Sequence, residues 1–338
     1  MPAEVASRSA PAEACAMRVH VQNDPDDPDF LITPEHWQKA AAGEPSHAVT
    51  FGGDADDFAR VRDAVELLVG PPAALRRLRP LAAPRLRLVF VNATGIDGLA
   101  PFDWLPHGVA LLNNRGAHGP KAGEYVAMAA LLLAARLPEL LAAQHAQRWH
   151  RLPTPPLAGR HAAIIGTGDL GSAGARQLRA LGVRTTGVNT RGTPHPDFDA
   201  VAPVAELDAL LPRAALLVLA CPLTLATRGL IDRRRLDALP PHAGLVNIGR
   251  GALIDEAALC DALARGRLGG AMLDVFAREP LAPGDPLWQT PNLIVTPHQS
   301  CDDPSSYNLR SLGILFANLR AWRTGEAMPN RVDPARGY

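Results

Sequence analysis

The sequence offers little for a disulfide framework, a metal site or a nucleic-acid-binding surface. Only four of its 338 residues are cysteines, and they lie far apart with no C-x-x-C pair, so reduced thiols are expected. No cluster of side chains has the spacing of metal ligands. The 34 basic residues are balanced by 34 acidic ones, which leaves no excess positive charge to attract nucleic acid. With 47% hydrophobic residues, the composition is typical of a soluble globular enzyme.

The sequence also lacks the apolar patterns that are typical of a membrane-spanning segment or a signal peptide. The longest apolar run, residues 125–135, is shorter than the roughly 20 residues that cross a bilayer. Residues 1–16 are rich in Ala, Pro, Glu and Ser without the apolar centre of a signal peptide, which predicts a disordered tail. The acidic run 23–29 lacks the central glycine and terminal glutamate of an EF-hand loop. We therefore expect a cytoplasmic protein that binds neither a membrane nor a metal ion.

The alternation of strands with helices predicts two α/β domains. A chain of 338 residues suits two domains of about 150 residues each, and the pattern places 17–115 plus 302–338 in one domain and 116–301 in the other. Both are expected to be doubly wound parallel sheets of the Rossmann type, with a cleft between them. The predicted strands are 17–22, 47–51, 64–69, 85–92 and 108–113, then 162–165, 185–188, 215–220, 244–248, 270–273 and 293–296, and long helices are predicted at 121–148 and 305–324.

The most informative motif is a glycine-rich turn between an apolar strand and an amphipathic helix. Gly166, Gly168 and Gly171 have the G-x-G-x-x-G spacing. In this context the first glycine permits a tight turn, the second lets the backbone approach a pyrophosphate, and the third lets the helix pack closely on the strand. The helix N-terminus then presents free N–H groups and a partial positive charge. The motif predicts a dinucleotide-binding site, since a flexible linker would not be bracketed by a strand and a periodic helix.

Polar residues follow the predicted strands of the second domain at the points where those strands end. Ligands on doubly wound sheets bind at the carboxyl ends of the strands, so these residues are candidates for one common site. They are Gly166, Asn189, Cys221, Pro222, Gly249, Arg250, Asp274 and His298.

Four motifs together resemble the D-isomer-specific 2-hydroxyacid dehydrogenase family, which includes glyoxylate and hydroxypyruvate reductases. The motifs are the glycine turn 166–171, Val246–Gly251 with Leu253–Glu256, Leu273–Phe276 with Glu279 and Pro280, and Thr296–His298. The resemblance runs in order from about Thr94 to His298. It implies an oxidoreductase that transfers a hydride between a nicotinamide dinucleotide and a small 2-keto acid or D-2-hydroxy acid, and it implies a homodimer.

The resemblance implies a catalytic set of Arg250, Glu279 and His298. A 2-keto acid carries an anionic carboxylate beside a carbonyl whose oxygen becomes an alkoxide when hydride reaches C2, and that charge has to be neutralised. Arg250 would bind the carboxylate and the carbonyl oxygen through its two-pronged guanidinium. His298 would donate the proton in reduction and accept it in oxidation. Glu279 would orient the imidazole and favour its protonated form.

The resemblance also assigns substrate and cofactor contacts. The backbone amides of Thr94 and Gly95 would bind the substrate carboxylate, although the loose match of residues 92–97 leaves an ordinary strand-ending turn open. Asp274 would hold the nicotinamide carboxamide. The full set of predicted cofactor-binding residues is Gly166, Thr167, Gly168, Asp169, Leu170, Gly171, Asn189, Thr190, Arg191, Cys221, Pro222, Thr224, Ile248, Gly249 and Asp274.

The end of the second strand of this domain departs from the dinucleotide fingerprint. The fingerprint has Asp or Glu there, about 20 residues beyond the glycines, to bind the ribose hydroxyls. Here Asn189, Thr190 and Arg191 occupy the position. A carboxylate would repel the 2′-phosphate of NADP, whereas an amide, a hydroxyl and a guanidinium favour it. We therefore predict a preference for NADP(H), with NAD(H) as the alternative.

Two other functions stay open at the level of sequence. Within enzymes, the alternative is an NAD-linked dehydrogenase of a bulkier 2-hydroxy acid, and the unusual segments 117–121 and 299–304 would shape that choice of substrate. In a different class, the alternative is a corepressor-like protein that uses the dinucleotide as a signal, because a fold alone does not exclude that role. Lys121 is either a second positive charge near the substrate or a solvated lysine at a helix start.

Overall fold

The chain forms two compact α/β units in a computed structural model that describes residues 16–334. Unit 1 consists of the residues up to Ala117 together with those from Pro304 onward, and unit 2 runs from His118 to Asp303. The predicted tail 1–16 lies, apart from Ala16, outside the described residues.

Within residues 16–334 every strand belongs to one of two parallel sheets. The strands of unit 1 are β1 (Arg18–Gln22), β2 (Ala48–Gly52), β3 (Leu67–Gly70), β4 (Leu88–Val91) and β5 (Ala110–Leu112). The strands of unit 2 are β6 (His161–Ile165), β7 (Arg184–Asn189), β8 (Ala200–Pro203), β9 (Leu216–Leu219), β10 (Gly244–Asn247), β11 (Gly270–Leu273) and β12 (Leu293–Val295). The helices are α1 (Pro34–Ala40), α2 (Ala55–Val61), α3 (Pro72–Arg77), α4 (Gly119–Ala134), α5 (Leu137–His145), α6 (Asp169–Ala180), α7 (Leu207–Leu210), α8 (Arg233–Ala238), α9 (Glu256–Ala264) and α10 (Tyr307–Thr324).

The order of the strands confirms the predicted fold class of two doubly wound parallel sheets. Unit 1 has the order β2-β1-β3-β4-β5, and unit 2 has the order β12-β11-β10-β9-β6-β7-β8. Strands such as β4 and β10 are buried along their whole length, as expected where helices cover both faces of a sheet. The order of unit 2 reverses between β6 and β9, and ligands on such sheets bind at the carboxyl ends beside this reversal.

Unit 2 contains one strand more than the sequence predicts. The additional strand is β8, which pairs with β7 at the edge of the sheet. It has only four residues and ends at Pro203, and proline is confined to the edges of sheets because it cannot donate a ladder hydrogen bond. So short a segment, ended by a proline, does not stand out from a loop in the sequence.

The prediction of one long helix over 121–148 is wrong, because the segment forms two helices. α4 and α5 are separated at Arg136, whose φ is +53°, and their axes differ by 61°. In a continuous helix Pro138 could not donate a hydrogen bond to the carbonyl oxygen of Ala134 and its ring would clash with that carbonyl, whereas proline is tolerated in the first turn of a new helix, so the helix is interrupted before it. Within residues 16–334 no single helix is long and apolar enough to cross a membrane, and α4 and α5 reach that length and composition only as this bent pair.

Small residues bring α4 and α6 together on one face of the unit 2 sheet. A Cβ on Gly123 of α4 would lie 3.1 Å from the carbonyl oxygen of Ala173 of α6. In return, a Cβ on Gly174 would lie 3.1 Å from a methyl group of Val126. The two helices therefore approach almost backbone to backbone, which fixes the N-terminus of α6 at the carboxyl edge of β6.

Candidate active site

The glycine turn lies between β6 and α6, at the carboxyl edge of the unit 2 sheet. Gly166 has a φ of +104°, a conformation that favours glycine. A Cβ on Gly171 would lie 1.9 Å from the carbonyl oxygen of Gly166, so the helix can begin this close to the strand only with glycine there. Gly168 has no atom within 4 Å of the position that a Cβ would take. This open space at the N-terminus of a 12-residue helix fits the pyrophosphate of a dinucleotide.

Asn189 lies at the end of β7, and both the nitrogen and the oxygen of its side-chain amide form hydrogen bonds that stabilise the turn after this strand. Its Nδ2 donates to Thr167 Oγ1 at 3.1 Å and to the carbonyl oxygen of Thr193 at 2.9 Å. Its Oδ1 accepts from the N–H groups of Arg191 and Thr193, each at 3.1 Å. Both amide hydrogens are therefore occupied, and the exposed side chains of Thr190 and Arg191 are the groups of this segment that face solvent.

Arg250 is placed by a compact turn at the end of β10. Asn247, the last residue of that strand, is fully buried. Its Oδ1 accepts from the N–H of Gly249 at 3.0 Å, and its Nδ2 donates to the carbonyl oxygen of Arg250 at 2.9 Å. Arg250 Nη1 donates to the carbonyl oxygen of Gly249 at 2.7 Å, which restricts the guanidinium. Sequence reasoning gave Asn247 no role, although it lies inside one of the quoted motifs.

The Arg250 turn touches the loop that carries Glu279. A Cβ on Gly251 would lie 1.8 Å from the carbonyl carbon of Phe276, so the two backbones are in direct contact. Glu279 Oε1 accepts a hydrogen bond from the Phe276 N–H at 2.8 Å, which orients the carboxylate. Its second oxygen, Oε2, lies 2.6 Å from His298 Nδ1, and the imidazole N–H donates to it.

The charges of Arg250, Glu279 and His298 affect the pKa values of Glu279 and His298. The hydrogen bond to Glu279 raises the pKa of His298 above its ordinary value, against the opposing effects of burial and of Arg250. Burial alone would raise the pKa of Glu279, but the hydrogen bonds from His298 and from the Phe276 N–H outweigh it and hold that pKa below its usual range. The pair is therefore an imidazolium and a carboxylate over a wider pH range than either group alone would allow. The positive charge of Arg250 acts on both members.

His298 has an unusual backbone that Asp274 supports. Its φ is +53°, in the left-handed region that residues other than glycine rarely adopt. The His298 N–H donates to the carbonyl oxygen of Asp274 at 2.8 Å. The fully buried Asp274 carboxylate accepts from the N–H groups of Gln299 and Ser300, each at 2.9 Å. Asp274 thus holds the loop around His298 in place.

A hydroxyl chain extends this support to α4. Thr296 Oγ1 donates to Asp274 Oδ1 at 2.6 Å, and the Tyr125 hydroxyl lies 2.6 Å from Thr296 Oγ1. Because the Thr296 hydrogen is used toward Asp274, the Tyr125 hydroxyl is the donor to Thr296, and burial raises the pKa of that phenol so that it stays protonated. Three of the hydrogen bonds that Asp274 can accept are therefore made within the protein. In the sequence Tyr125 stood out only as the start of an apolar run.

Other predicted cofactor residues lie at the same carboxyl edge. The backbone at Cys221 meets both Gly166 and Gly249, because a Cβ on either glycine would lie 2.9 Å from a Cys221 backbone atom. Burial raises the pKa of the Cys221 thiol to about 12, which disfavours the thiolate form near neutral pH. Asp169 and Leu170 begin α6, Thr167 lies within the glycine turn, Pro222 and Thr224 follow β9, and Ile248 follows β10.

The predicted substrate residues Thr94 and Gly95 belong to unit 1. They follow β4, and Thr94 Oγ1 donates to the carbonyl oxygen of Asn114 at 3.1 Å. Lys121, on the first turn of α4, pairs with Glu124 at 3.2 Å. Within residues 16–334 no group of three or more His, Cys, Asp or Glu side chains is arranged to hold a metal ion.

Comparisons with known proteins give a consistent result. Residues 127–300 match the family model for the D-isomer specific 2-hydroxyacid dehydrogenase, NAD binding domain. Glyoxylate/hydroxypyruvate reductase A of Salmonella typhi is 32% identical over 265 residues, which cover 76% of this chain and 84% of that protein. The D-isomer specific 2-hydroxyacid dehydrogenase of Xanthobacter autotrophicus Py2, in complex with NADPH and MES, is 29% identical with a TM-score of 0.78, over 96% of this chain and 100% of that one. The NADPH-dependent glyoxylate/hydroxypyruvate reductase of Sinorhizobium meliloti, in complex with NADP and sulfate, is 28% identical with a TM-score of 0.78, over 95% of this chain and 100% of that one.

Proposed function

This chain belongs to the D-isomer specific 2-hydroxyacid dehydrogenase family, and on that premise we propose that it reduces a small 2-keto acid of the glyoxylate or hydroxypyruvate type with NADPH. The coarser assignment, an NAD(P)-dependent 2-hydroxyacid dehydrogenase, is the shared activity of the family and of its relatives. The observation that carries the proposal is the 2.6 Å contact between His298 Nδ1 and Glu279 Oε2, in the same unit as Arg250 and the glycine turn.

Arg250 binds the substrate in this proposal. Its guanidinium is permanently charged and presents paired N–H donors, which match the planar carboxylate of a 2-keto acid. The same charge stabilises the carbonyl oxygen as it becomes negative during reduction. The buried Asn247 keeps the Arg250 turn in one conformation, so the guanidinium is oriented before the substrate arrives.

His298 supplies the proton. Its Nδ1 faces Glu279, which leaves Nε2 to donate to the carbonyl oxygen of the substrate. A nicotinamide dinucleotide held at the glycine turn would supply the hydride to C2. The carbonyl bond thereby gains one hydride at carbon and one proton at oxygen, which gives the 2-hydroxy acid and leaves His298 neutral. In oxidation the same nitrogen accepts the proton.

Replacement of Glu279 by Gln is expected to change the pH profile of the reaction. Reduction needs protonated His298, so its rate is constant well below the His298 pKa and falls as pH rises through it. The variant removes the carboxylate that raises this pKa, and the falling limb of kcat/KM for reduction therefore moves to lower pH. Steady-state rates across the pH range measure the shift.

A second variant separates this effect from simple damage to the loop. Glu279→Asp keeps the negative charge, so its falling limb should stay near that of the parent protein even where kcat drops. A profile of Glu279→Gln that coincides with the parent profile would remove Glu279 from this positioning role.

The preference for NADPH rests on the turn after β7. No carboxylate occupies residues 189–191, and the Asn189 amide holds the turn so that Thr190 and Arg191 are exposed. A hydroxyl and a guanidinium bind a 2′-phosphate, which the ribose of NADH lacks. Two similar proteins of known structure contain NADPH or NADP, which supports the same choice.

Replacement of Arg191 by Ala is expected to weaken the binding of NADPH selectively. Loss of one or more charge-assisted hydrogen bonds of about 1.5–3 kcal/mol corresponds to a rise in the KM for NADPH of about 10- to 100-fold. The KM for NADH should stay near its original value, which makes NADH the internal control. If the ratio of the two KM values is unchanged in the variant, Arg191 does not bind the 2′-phosphate.

A homodimer is part of the proposal, and exposed apolar side chains on and after α4 support it. Met128 and Leu131 are 42% and 48% exposed, and Trp149 is 96% exposed. Met128 and Leu131 lie three residues apart on α4 and so share one face of that helix, and neighbouring exposed apolar side chains are typical of an interface. We place the protein in the cytoplasm, where the free thiols of its described cysteines would stay reduced.

Replacement of Leu131 by Glu is expected to convert the dimer to a monomer, because a carboxylate would be buried in the contact. Light scattering coupled to size exclusion measures the mass directly. Leu225→Glu is the matched control, since Leu225 is 98% exposed and lies after β9, away from α4 in the sequence. A Leu131→Glu protein with the mass of the dimer would place the interface elsewhere.

A substrate panel tests the proposed activity as a whole. Glyoxylate, hydroxypyruvate and pyruvate are compared with aryl and branched 2-keto acids, each with NADPH and with NADH. The highest kcat/KM is expected for a small acid with NADPH. A higher value for a bulky acid with NADH would favour the alternative dehydrogenase, and an absence of turnover with every acid would favour a dinucleotide sensor.

A further inference from the structure

A polar pocket lies at the amino edge of the unit 2 sheet, where its parallel strands begin. Its volume is about 310 Å³, at the lower end of the range of about 300–1,000 Å³ found for small-ligand sites. His161 and Arg184 begin β6 and β7 and are register partners, and Arg213 precedes β9. The polar lining residues are His161, Arg184, Thr185, Thr186, Asp199 and Arg213.

Two guanidiniums give this pocket its charge. Arg184 and Arg213 are exposed, and neither forms an ion pair with a carboxylate of residues 16–334. His161, Arg184 and Arg213 line the same pocket, and there burial lowers the pKa of His161 while the charges of Arg213 and Arg184 lower it further. His161 Nε2 lies 2.8 Å from Thr186 Oγ1, and this pair adds polar groups to the pocket without adding negative charge.

The one carboxylate of the lining is already neutralised. Asp199 Oδ2 accepts from the N–H of Thr185 at 2.8 Å and from its hydroxyl at 3.2 Å. Asp199 Oδ1 pairs with Arg179 at 3.0 Å. These bonds hold the pKa of Asp199 below its ordinary value, the Thr185 N–H being the main cause. Asp199 therefore does not serve as the counter-ion of Arg184 and Arg213, and the pocket keeps two uncompensated positive charges.

We propose that this pocket binds a phosphate group, either as inorganic phosphate or as a phosphate ester of a small metabolite. Guanidinium forks match the oxygen geometry of phosphate, and a dianion satisfies two arginines at once. The site is separate from the candidate active site, because the glycine turn follows the opposite end of β6. The five-residue strand separates His161 from Gly166 by roughly 16 Å at about 3.3 Å per residue.

Thermal unfolding in the presence of added anions tests this assignment. Inorganic phosphate, glycerol 3-phosphate and malonate are each added at constant ionic strength, with NADPH present to occupy the phosphate-binding residues of the glycine turn. Phosphate at about ten times its Kd should raise the Tm of the parent protein by roughly 2–4 °C. The double variant Arg184→Gln/Arg213→Gln should lose this rise. Arg267→Gln, an exposed arginine before β11, should keep it.

Two further measurements keep the result independent of folding defects. The double variant should retain the parent kcat without phosphate, since neither arginine belongs to the proposed catalytic set. Crystals grown with selenate should show an anomalous peak within hydrogen-bond distance of both guanidiniums. A larger Tm rise with glycerol 3-phosphate than with phosphate would identify an ester as the ligand.

Three outcomes would overturn the proposal. One is a Tm rise of equal size in the parent protein and in the double variant. Another is loss of the rise in the Arg267→Gln control as well. The third is a response of the parent protein to malonate but not to either phosphate compound.

Discussion

Gln in place of His298 is expected to lower kcat for reduction of a 2-keto acid by a factor of ~10² to 10⁴, the usual scale for loss of a positioned acid or base. Gln has a similar reach and remains able to hydrogen-bond the carbonyl oxygen, but its amide cannot deliver a proton. The KM for the 2-keto acid should change much less than kcat, because in the proposed mechanism the carboxylate is bound by Arg250, which the variant keeps. The falling limb of the pH profile should also disappear, since the group that titrates is gone.

Steady-state and single-turnover rates with NADPH measure this loss. His242→Gln is a suitable control, because His242 is exposed and lies just before β10. It should leave kcat unchanged. A His298→Gln protein that turns over at nearly the parent rate would assign the proton transfer to another group.

Arg250→Lys is expected to be almost as damaging as Arg250→Ala. Lysine keeps the charge but presents a compact ammonium, which cannot form the two parallel hydrogen bonds of a guanidinium. Two charge-assisted bonds of about 1.5–3 kcal/mol each correspond to a loss in kcat/KM of about 10² to 10⁴. Arg250 Nη1 also donates to the carbonyl oxygen of Gly249. This hydrogen bond orients the side chain, and it would be lost with the guanidinium.

The measurement is kcat/KM for one 2-keto acid across the two variants. Arg267→Lys is the control for the general effect of exchanging an arginine. If Arg250→Lys retains the parent kcat/KM while Arg250→Ala does not, the charge alone is sufficient and the two-pronged contact is absent.

Residues whose roles follow from local spacing could be predicted from the sequence. The spacing of Gly166 and Gly171 in a strand-turn-helix segment predicts that the start of the helix packs closely on the strand. The structure shows this close contact between the two glycines. Arg250, Glu279 and His298 each follow a predicted strand of one domain. Since parallel strands bring their carboxyl ends to the same edge, the sequence predicts that these residues lie near one another.

Contacts between distant segments could not be predicted in the same way. Tyr125 and Thr296 are separated by 171 positions, and nothing in the apolar run around Tyr125 indicates which residue its hydroxyl meets. Asn247 lies in a quoted motif, but its two hydrogen bonds depend on the path of the turn. The break at Arg136 does have a signal in the sequence, because Pro138 follows it, but apolar periodicity alone predicts one helix over 121–148.

A change of the proposed cofactor preference from NADPH to NADH would require residues 189–193 to be replaced together. An aspartate at position 189 could still accept from the N–H groups of Arg191 and Thr193. Its second oxygen, however, would face the carbonyl oxygen of Thr193, to which the amide now donates. Two acceptors would then repel each other, and the turn would open before the new carboxylate could reach a ribose. The proposed choice of cofactor thus depends on the backbone conformation of this turn, and we expect that replacing residue 189 alone does not change it.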